Sequence, residues 1–352
     1  MITAALLACA DPTGGSSTGP GAEPPEGEPT LDLVQFDGET VSYADGFVPY
    51  TIATPLFSDF AHKERAIRLP EGTVAAYTDD GPFAFPVGTQ IVKSFLLPAD
   101  LRDPTHELTV IETRVLTLED DGWDSWPYLW NDDATVATRA PSGAVLERTA
   151  IGLDGTPVTF AYLVPQRNQC VDCHEATADG TRENLPIGPT ARNLNVGDQL
   201  EAWSDAGLVD GLPPIDEVPA ATDASAIAGI DPATMSDEVL FAAARDYLDA
   251  NCAHCHNPDG DEGRSSQLFL NWDNDDAFRY GVCKKPGSAG KGTGGLTYDV
   301  VPGAPTESIL WYRIHTDALG EMMPDIGRSL VDPAGVELVA EWIRRLEGAC
   351  SD

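Results

Sequence analysis

The alternation of apolar and polar positions changes character part-way along the chain. Over residues 31–165 apolar side chains either alternate with polar ones or run as short β-branched stretches, the pattern of half-buried strands. Segments 89–97 and 107–117 are the longest of these, and 66–69, 126–130, 144–150 and 157–164 are shorter candidates. Turn chemistry separates them, as at Asp79-Asp80-Gly81-Pro82, Asp120-Asp121-Gly122 and Asp154-Gly155-Thr156-Pro157. Several short strands at such spacing predict an antiparallel, sandwich-like β domain.

Past residue 165 the period lengthens to that of helices. Val239, Leu240, Ala243, Ala244, Tyr247 and Leu248 recur at helical spacing within 236–250 and predict one apolar stripe. Shorter helices are predicted over 196–206 and 308–315. Asp332 is placed to cap a helix beginning at Pro333 and stopped by Gly348, with Val336, Val339, Trp342, Ile343 and Leu346 as its buried face. The fold class expected is therefore α+β and multidomain. A tether over 1–30 leads to a β-rich domain over 31–165, a first cofactor-binding segment over 166–235 and a mainly helical domain with an insertion over 236–350.

The chemistry of the chain lies at the end of the predicted helix 236–250. Cys252-Ala253-His254-Cys255-His256 has two cysteines three apart with a histidine directly after the second, and Cys170-Val171-Asp172-Cys173-His174 repeats the arrangement. This is the attachment pattern of a c-type haem. Two thiols on one helical turn reach the two vinyl groups, while the adjacent imidazole is held below the ring as an iron ligand. The expectation is two covalent haem c groups, bound through Cys170, Cys173, Cys252 and Cys255, with His174 and His256 on the irons. Paired cysteine motifs also make structural zinc sites, but these separate their pairs by about 15–20 residues, far less than the distance from Cys173 to Cys252.

Charge narrows the partners. Lys+Arg 21 against Asp+Glu 57 leaves a formal net charge of −36, which disfavours nucleic acid and anionic lipid and suits a basic or zwitterionic redox protein. No apolar run reaches the roughly 18 residues a membrane helix needs. Leu6-Leu7-Ala8-Cys9 resembles a bacterial lipobox, with Cys9 as the lipidated residue, although the segment lacks a basic n-region. The following stretch, 11–30, is built mainly of Gly, Pro, Ser, Thr and Glu and reads as a tether. Since covalent haem attachment is completed outside the cytoplasm in bacteria, the expected location is periplasmic or cell-surface, lipid-anchored through Cys9.

Other features carry less. Trp123, Trp126, Tyr128 and Trp130 form an aromatic cluster suited to a core or to a haem edge. Asn131-Asp132-Asp133 suits a polar turn or calcium. Gly287-Ser288-Ala289-Gly290-Lys291-Gly292-Thr293 fails the phosphate-loop pattern because glycine separates Lys291 from Thr293. Lys284, Lys285 and Lys291 make a local basic island. Cys283 and Cys350 are left over and are candidates for a disulfide, although the sequence does not place them within reach. For the sixth position of the first haem, His62, His106, Met235 and His254 are candidates, as is a vacancy. No Ser/His/Asp or Cys/His catalytic set is present in the first half, and no catalytic residue is assigned.

The region 236–350 resembles class I cytochrome c, in which two helices cross over a haem. That resemblance maps the second axial ligand onto Met323 of Met322-Met323-Pro324, where a soft thioether favours ferrous iron. Taken whole, the chain resembles an uncharacterised family of exported bacterial di-haem c-type proteins with a β-rich amino-terminal domain. The residues that carry this are Thr54-Pro55-Leu56-Phe57-Ser58-Asp59, Phe85-Pro86-Val87-Gly88-Thr89, Asn251 to His256, Gly281-Val282-Cys283-Lys284 and Met322-Met323-Pro324. The function this implies is single-electron transfer between redox partners outside the cytoplasm. The alternatives are a di-haem peroxidase-like enzyme with an open first haem, and a redox subunit docking a periplasmic dehydrogenase.

Overall fold

The computed structural model of the chain describes residues 28–178, 181–287 and 289–351; Cys9 and most of the expected tether lie outside them. The described chain is mixed α/β. Its largest element is a six-stranded antiparallel sheet of β1 (Val48–Pro49), β2 (His62–Arg68), β3 (Gln90–Pro98), β4 (Leu108–Glu119), β5 (Gly122–Trp130) and β6 (Ala137–Arg139), in that spatial order. The two longest alternating segments form the adjacent strands β3 and β4, whose register shifts between Phe95 and Leu96.

The two faces of this sheet differ. Ala66, Val92, Leu96, Val115, Tyr128 and Trp130 pack beneath the hairpin of Val34–Phe36 and Val41–Tyr43. On the other face two apolar clusters stand apart. One joins Ile67, Ile91 and Leu116 to Leu194, Leu200, Trp203 and Val209. The other joins Phe95 and Leu129 to the hairpin Ala144–Ile151 and Pro157–Val164. The second layer of the expected sandwich is thus that hairpin together with helices Ala191–Leu194 and Gln199–Asp205. The helix expected over 196–206 forms as Gln199–Asp205, starting three residues late because Gly197 takes a left-handed φ of 57°.

The remainder forms its own core. Helix Asp237–Leu248 starts at the Ser236 N-cap and packs against helix Pro333–Arg345, capped by Asp332, whose side chain accepts from Gly335 N. Leu240, Ala243, Ala244 and Leu248 meet Val336, Val339, Trp342 and Ile343 in one cluster. Val239, expected in the buried stripe, faces solvent at 42% exposure. The helix then passes into a π turn, Asp249–Ala253, which buries Asn251, Cys252 and Ala253, and such turns often mark functional sites. Cys283 and Cys350 are bonded, with Cα atoms 5.1 Å apart. Among the described residues no helix is long and apolar enough to cross a membrane.

Two polar clasps fix this helical unit to the β-rich one. Asp246, buried, accepts from Arg192 and from Thr222 N at 2.6 Å. Asp59, also buried, accepts from Ser329 N and Leu330 N, both at 2.7 Å.

Candidate functional site

The clasps enclose a cavity of about 650 Å³ between the sheet face carrying Arg65 and Lys93, the helix of the first cysteine motif and the π turn of the second. That volume is within the range of about 300–1,000 Å³ found for ligand and cofactor pockets. Cys170, Cys173 and His174 line it, as do Ala253, His254 and Pro324. The first motif forms one short helix, Cys170–His174, after the turn Arg167–Gln169, so both thiols and the imidazole project from adjacent turns. His174 Nδ1 lies 2.7 Å from the carbonyl of Leu185. Donating there fixes the tautomer and leaves Nε2 bare, the form a metal-binding histidine takes. Burial holds the His174 ring down to about 4, so it is neutral at neutral pH.

The second motif is more deeply set. Cys252 belongs to the helical core, and burial pushes its thiol up to about 12. His256 is likewise held down to about 4 by burial, with the nearby His254 adding to the effect. Met323 shares a small cavity with Cys252, Asn251, Phe57 and Arg328, while Met322 is buried elsewhere. Arg328 holds the methionine segment by donating to the carbonyls of Met323, Arg313, Thr316 and Leu330. The space between Cys252 and Met323 is about 10 Å³.

The fit to haem differs between the two motifs. At the first, the thiols, the oriented imidazole and the cavity volume all suit a porphyrin. At the second the donor set suits one, but the volume does not. A ring there needs the segment around Met323 to lie farther from Cys252.

The fold brings the two motifs into contact. Cys173, His254 and Cys255 offer ligand atoms that all lie within 4.8 Å of one another, and Cys255 Sγ is 3.2 Å from the carbonyl of Asp172. The Cys173 sulfur accepts from the Cys255 thiol, which holds the first down and pushes the second up. A bridge between Ala176 and Gly260 and a hydrogen bond from Thr177 N to Asp259 O at 2.9 Å tie the adjoining chains.

Of the four side chains considered for the sixth position at the first motif, His254 alone lines the cavity, and its Nδ1 is buried without a hydrogen-bond partner. His62 pairs with Glu64, His106 pairs with Asp103 at the surface, and Met235 packs in the helical core. Within the aromatic cluster, Trp126 borders the cavity between the guanidinium groups of Arg139 and Arg167. Asn131 closes a turn by accepting from Thr135 N and Val136 N. Lys284 of the basic island is buried against Asp299.

Sequence reading missed the cations on the cavity wall. Lys63, Arg65, Lys93 and Arg114 all line it. The signal was available: in β2, β3 and β4 these residues occupy the same alternation positions as the buried Ile67, Ile91, Phe95 and Leu116.

Comparison with protein-family models, with curated proteins and with solved structures finds no match to this chain.

Proposed function

We propose that the chain is a di-haem c-type protein that passes single electrons between redox partners outside the cytoplasm. The observation that carries this reading is the meeting of two Cys-x-x-Cys-His motifs, distant in sequence, beside one cofactor-sized cavity. Cys173 and Cys255, one from each motif, lie against one another, which supports exchange of electrons between the groups the two motifs would hold. When bound, such haems supply the one-electron couple. The protein orients His174 through Leu185, excludes water around Cys252 and offers Met323 as a soft ligand.

The family resemblance and the cytochrome c-like reading of the helical unit belong to this proposal, as does export. The Cys283–Cys350 disulfide supports an oxidising compartment. The −36 net charge supports a basic or zwitterionic partner.

Spectra of the reduced, matured protein before and after carbon monoxide test the reading. His254, with its unpartnered nitrogen in the cavity, favours two six-coordinate haems indifferent to the gas. A high-spin haem that binds it would replace electron transfer with the peroxidase-like alternative.

A second reading has its own observation. Cys173, His254 and Cys255 are close enough to hold a soft divalent metal ion without haem. A haem-free chain purified with stoichiometric zinc would establish that reading instead.

A further inference from the structure

The face of the sheet that looks into the cavity carries a row of like charges. Arg65 on β2 is the register partner of Lys93 on β3, and Lys93 is in turn the partner of Arg114 on β4. Like charges directly opposite on neighbouring strands repel. Lys63 stands one row away on the same face, opposite Phe95, and three of these cations, Lys63, Lys93 and Arg114, lie 4.3–5.8 Å from the Phe95 ring centre.

Three carboxylates act on these four cations: Asp59 on Lys63 and Glu64 on Arg65 through space, and Glu112 on Lys93 and Arg114 from within the row. Glu112 accepts from Arg114 at 2.6 and 3.0 Å and also from the Tyr162 hydroxyl. Lys63 donates to the carbonyl of Leu56, and Arg65 to that of Lys63. No hydrogen bond or ion pair to Lys93 occurs among the described residues. Burial and the flanking Arg114 and Arg65 bring its ammonium down to about 7. Acidic residues also line the cavity, namely Asp79, Asp80, Glu175, Asp249, Asp259 and Asp273, but on the loops, the short hairpin after His174 and the π turn that form its other walls.

In a chain of net charge −36, four cations on the inner face of a sheet, flanked by apolar clusters, are costly unless an anion meets them. We infer that Arg65, Lys93 and Arg114, with Lys63 beside them, form a carboxylate-binding site facing the cavity. Two sources of that carboxylate are compatible with the chemistry: the propionates of a haem attached at Cys170 and Cys173, or a small free acid admitted to the cavity. The first source rests on the function proposed above; the second does not. Arg65 supplies a planar fork for a carboxylate and Lys93 a point charge beside it, while Arg114, whose Nε and Nη2 are held by Glu112, adds its charge and its outer Nη1 edge.

Titration calorimetry with succinate, on the haem-loaded chain and on Cys170→Ala/Cys173→Ala, tests the site. The haem-free first site is expected to bind succinate, and Lys93→Met to weaken that binding at least tenfold. Succinate excluded from the loaded chain assigns the row to the propionates, whereas succinate bound by both assigns it to a free acid. Lys93→Met should also raise the melting temperature of Cys170→Ala/Cys173→Ala, since it relieves repulsion in an unfilled row. Absence of succinate binding to that variant, or binding that Lys93→Met leaves unchanged, overturns the proposal. Should that variant not fold, haem-loaded Lys93→Met decides: it must lower one midpoint potential or weaken succinate binding tenfold, and doing neither overturns the site. A matured chain without covalent haem would sink the function proposed above and leave the succinate result standing.

Discussion

Asp59 offers the sharpest test of how the two units are held together. Its carboxylate, 1% exposed, accepts from Ser329 N and Leu330 N at 2.7 Å and from the Ser329 hydroxyl at 3.2 Å. These bonds hold the chain that runs from Met323 to the helix capped by Asp332. Asp59→Ala would strand two half-buried backbone donors, at about 1–3 kcal/mol each. It would also place alanine at a left-handed φ of 49°, at roughly 1 kcal/mol more. The expected loss is about 4 kcal/mol, read as a lower midpoint in urea with the slope unchanged. Asp59→Asn keeps an acceptor oxygen and a residue that tolerates the left-handed region, so it should lose about 1 kcal/mol. A loss below about 1 kcal/mol for Asp59→Ala would refute the clasp.

The other predictions concern the core, the disulfide, the methionine and the cationic row. Asp246→Ala leaves the half-buried Arg192 without its partner and should cost about 3 kcal/mol in the same urea assay; an unchanged midpoint would show that this clasp carries nothing. Cys283→Ser with Cys350→Ser opens a bridge spanning 67 residues and should cost up to about 4 kcal/mol on the chain-entropy model, checked by calorimetry against the disulfide-bonded wild type. Met323→Ala should lower one midpoint potential and spare the other, and an unmoved titration places the ligand elsewhere. Lys93 has a folded pKa of about 7, below its ordinary 10.5. The unfolded chain therefore binds more protons above pH 7, and haem-free protein should gain stability between pH 7 and 9. Lys93→Met should flatten that rise, and equal slopes in the two proteins would contradict the assignment.

Much of the architecture was legible from local pattern. Strands Gln90–Pro98 and Leu108–Glu119 alternate, or run β-branched, over many residues, and helix Pro333–Arg345 announces itself through Asp332 and Pro333. What escaped depends on contacts between distant segments. Leu194, Leu200 and Trp203 close the sheet although they lie far beyond it in sequence, so a boundary drawn at 165 divides one packed core.

The same limit applies to the site. The stretch from Thr54 to Asp59 has no chemistry of its own, yet each end is a junction. Thr54 binds Asn193 and the carbonyl of Thr222, Phe57 N donates to Asn251 beside Cys252, and Asp59 holds Ser329. The spacing of the cysteines identified both motifs, but their mutual contact through Cys173 and Cys255 depends on the fold. The cations on the cavity wall were visible as charges at inward positions of strands. Their meaning appeared only when register placed Arg65, Lys93 and Arg114 side by side.

The most direct test of the central claim is the intact mass of protein matured with haem-attachment machinery, measured with its iron and zinc content. Two covalent haems and two irons per chain are predicted, falling to one haem in Cys252→Ala/Cys255→Ala. A chain at its bare polypeptide mass, with zinc in place of iron, would contradict the account.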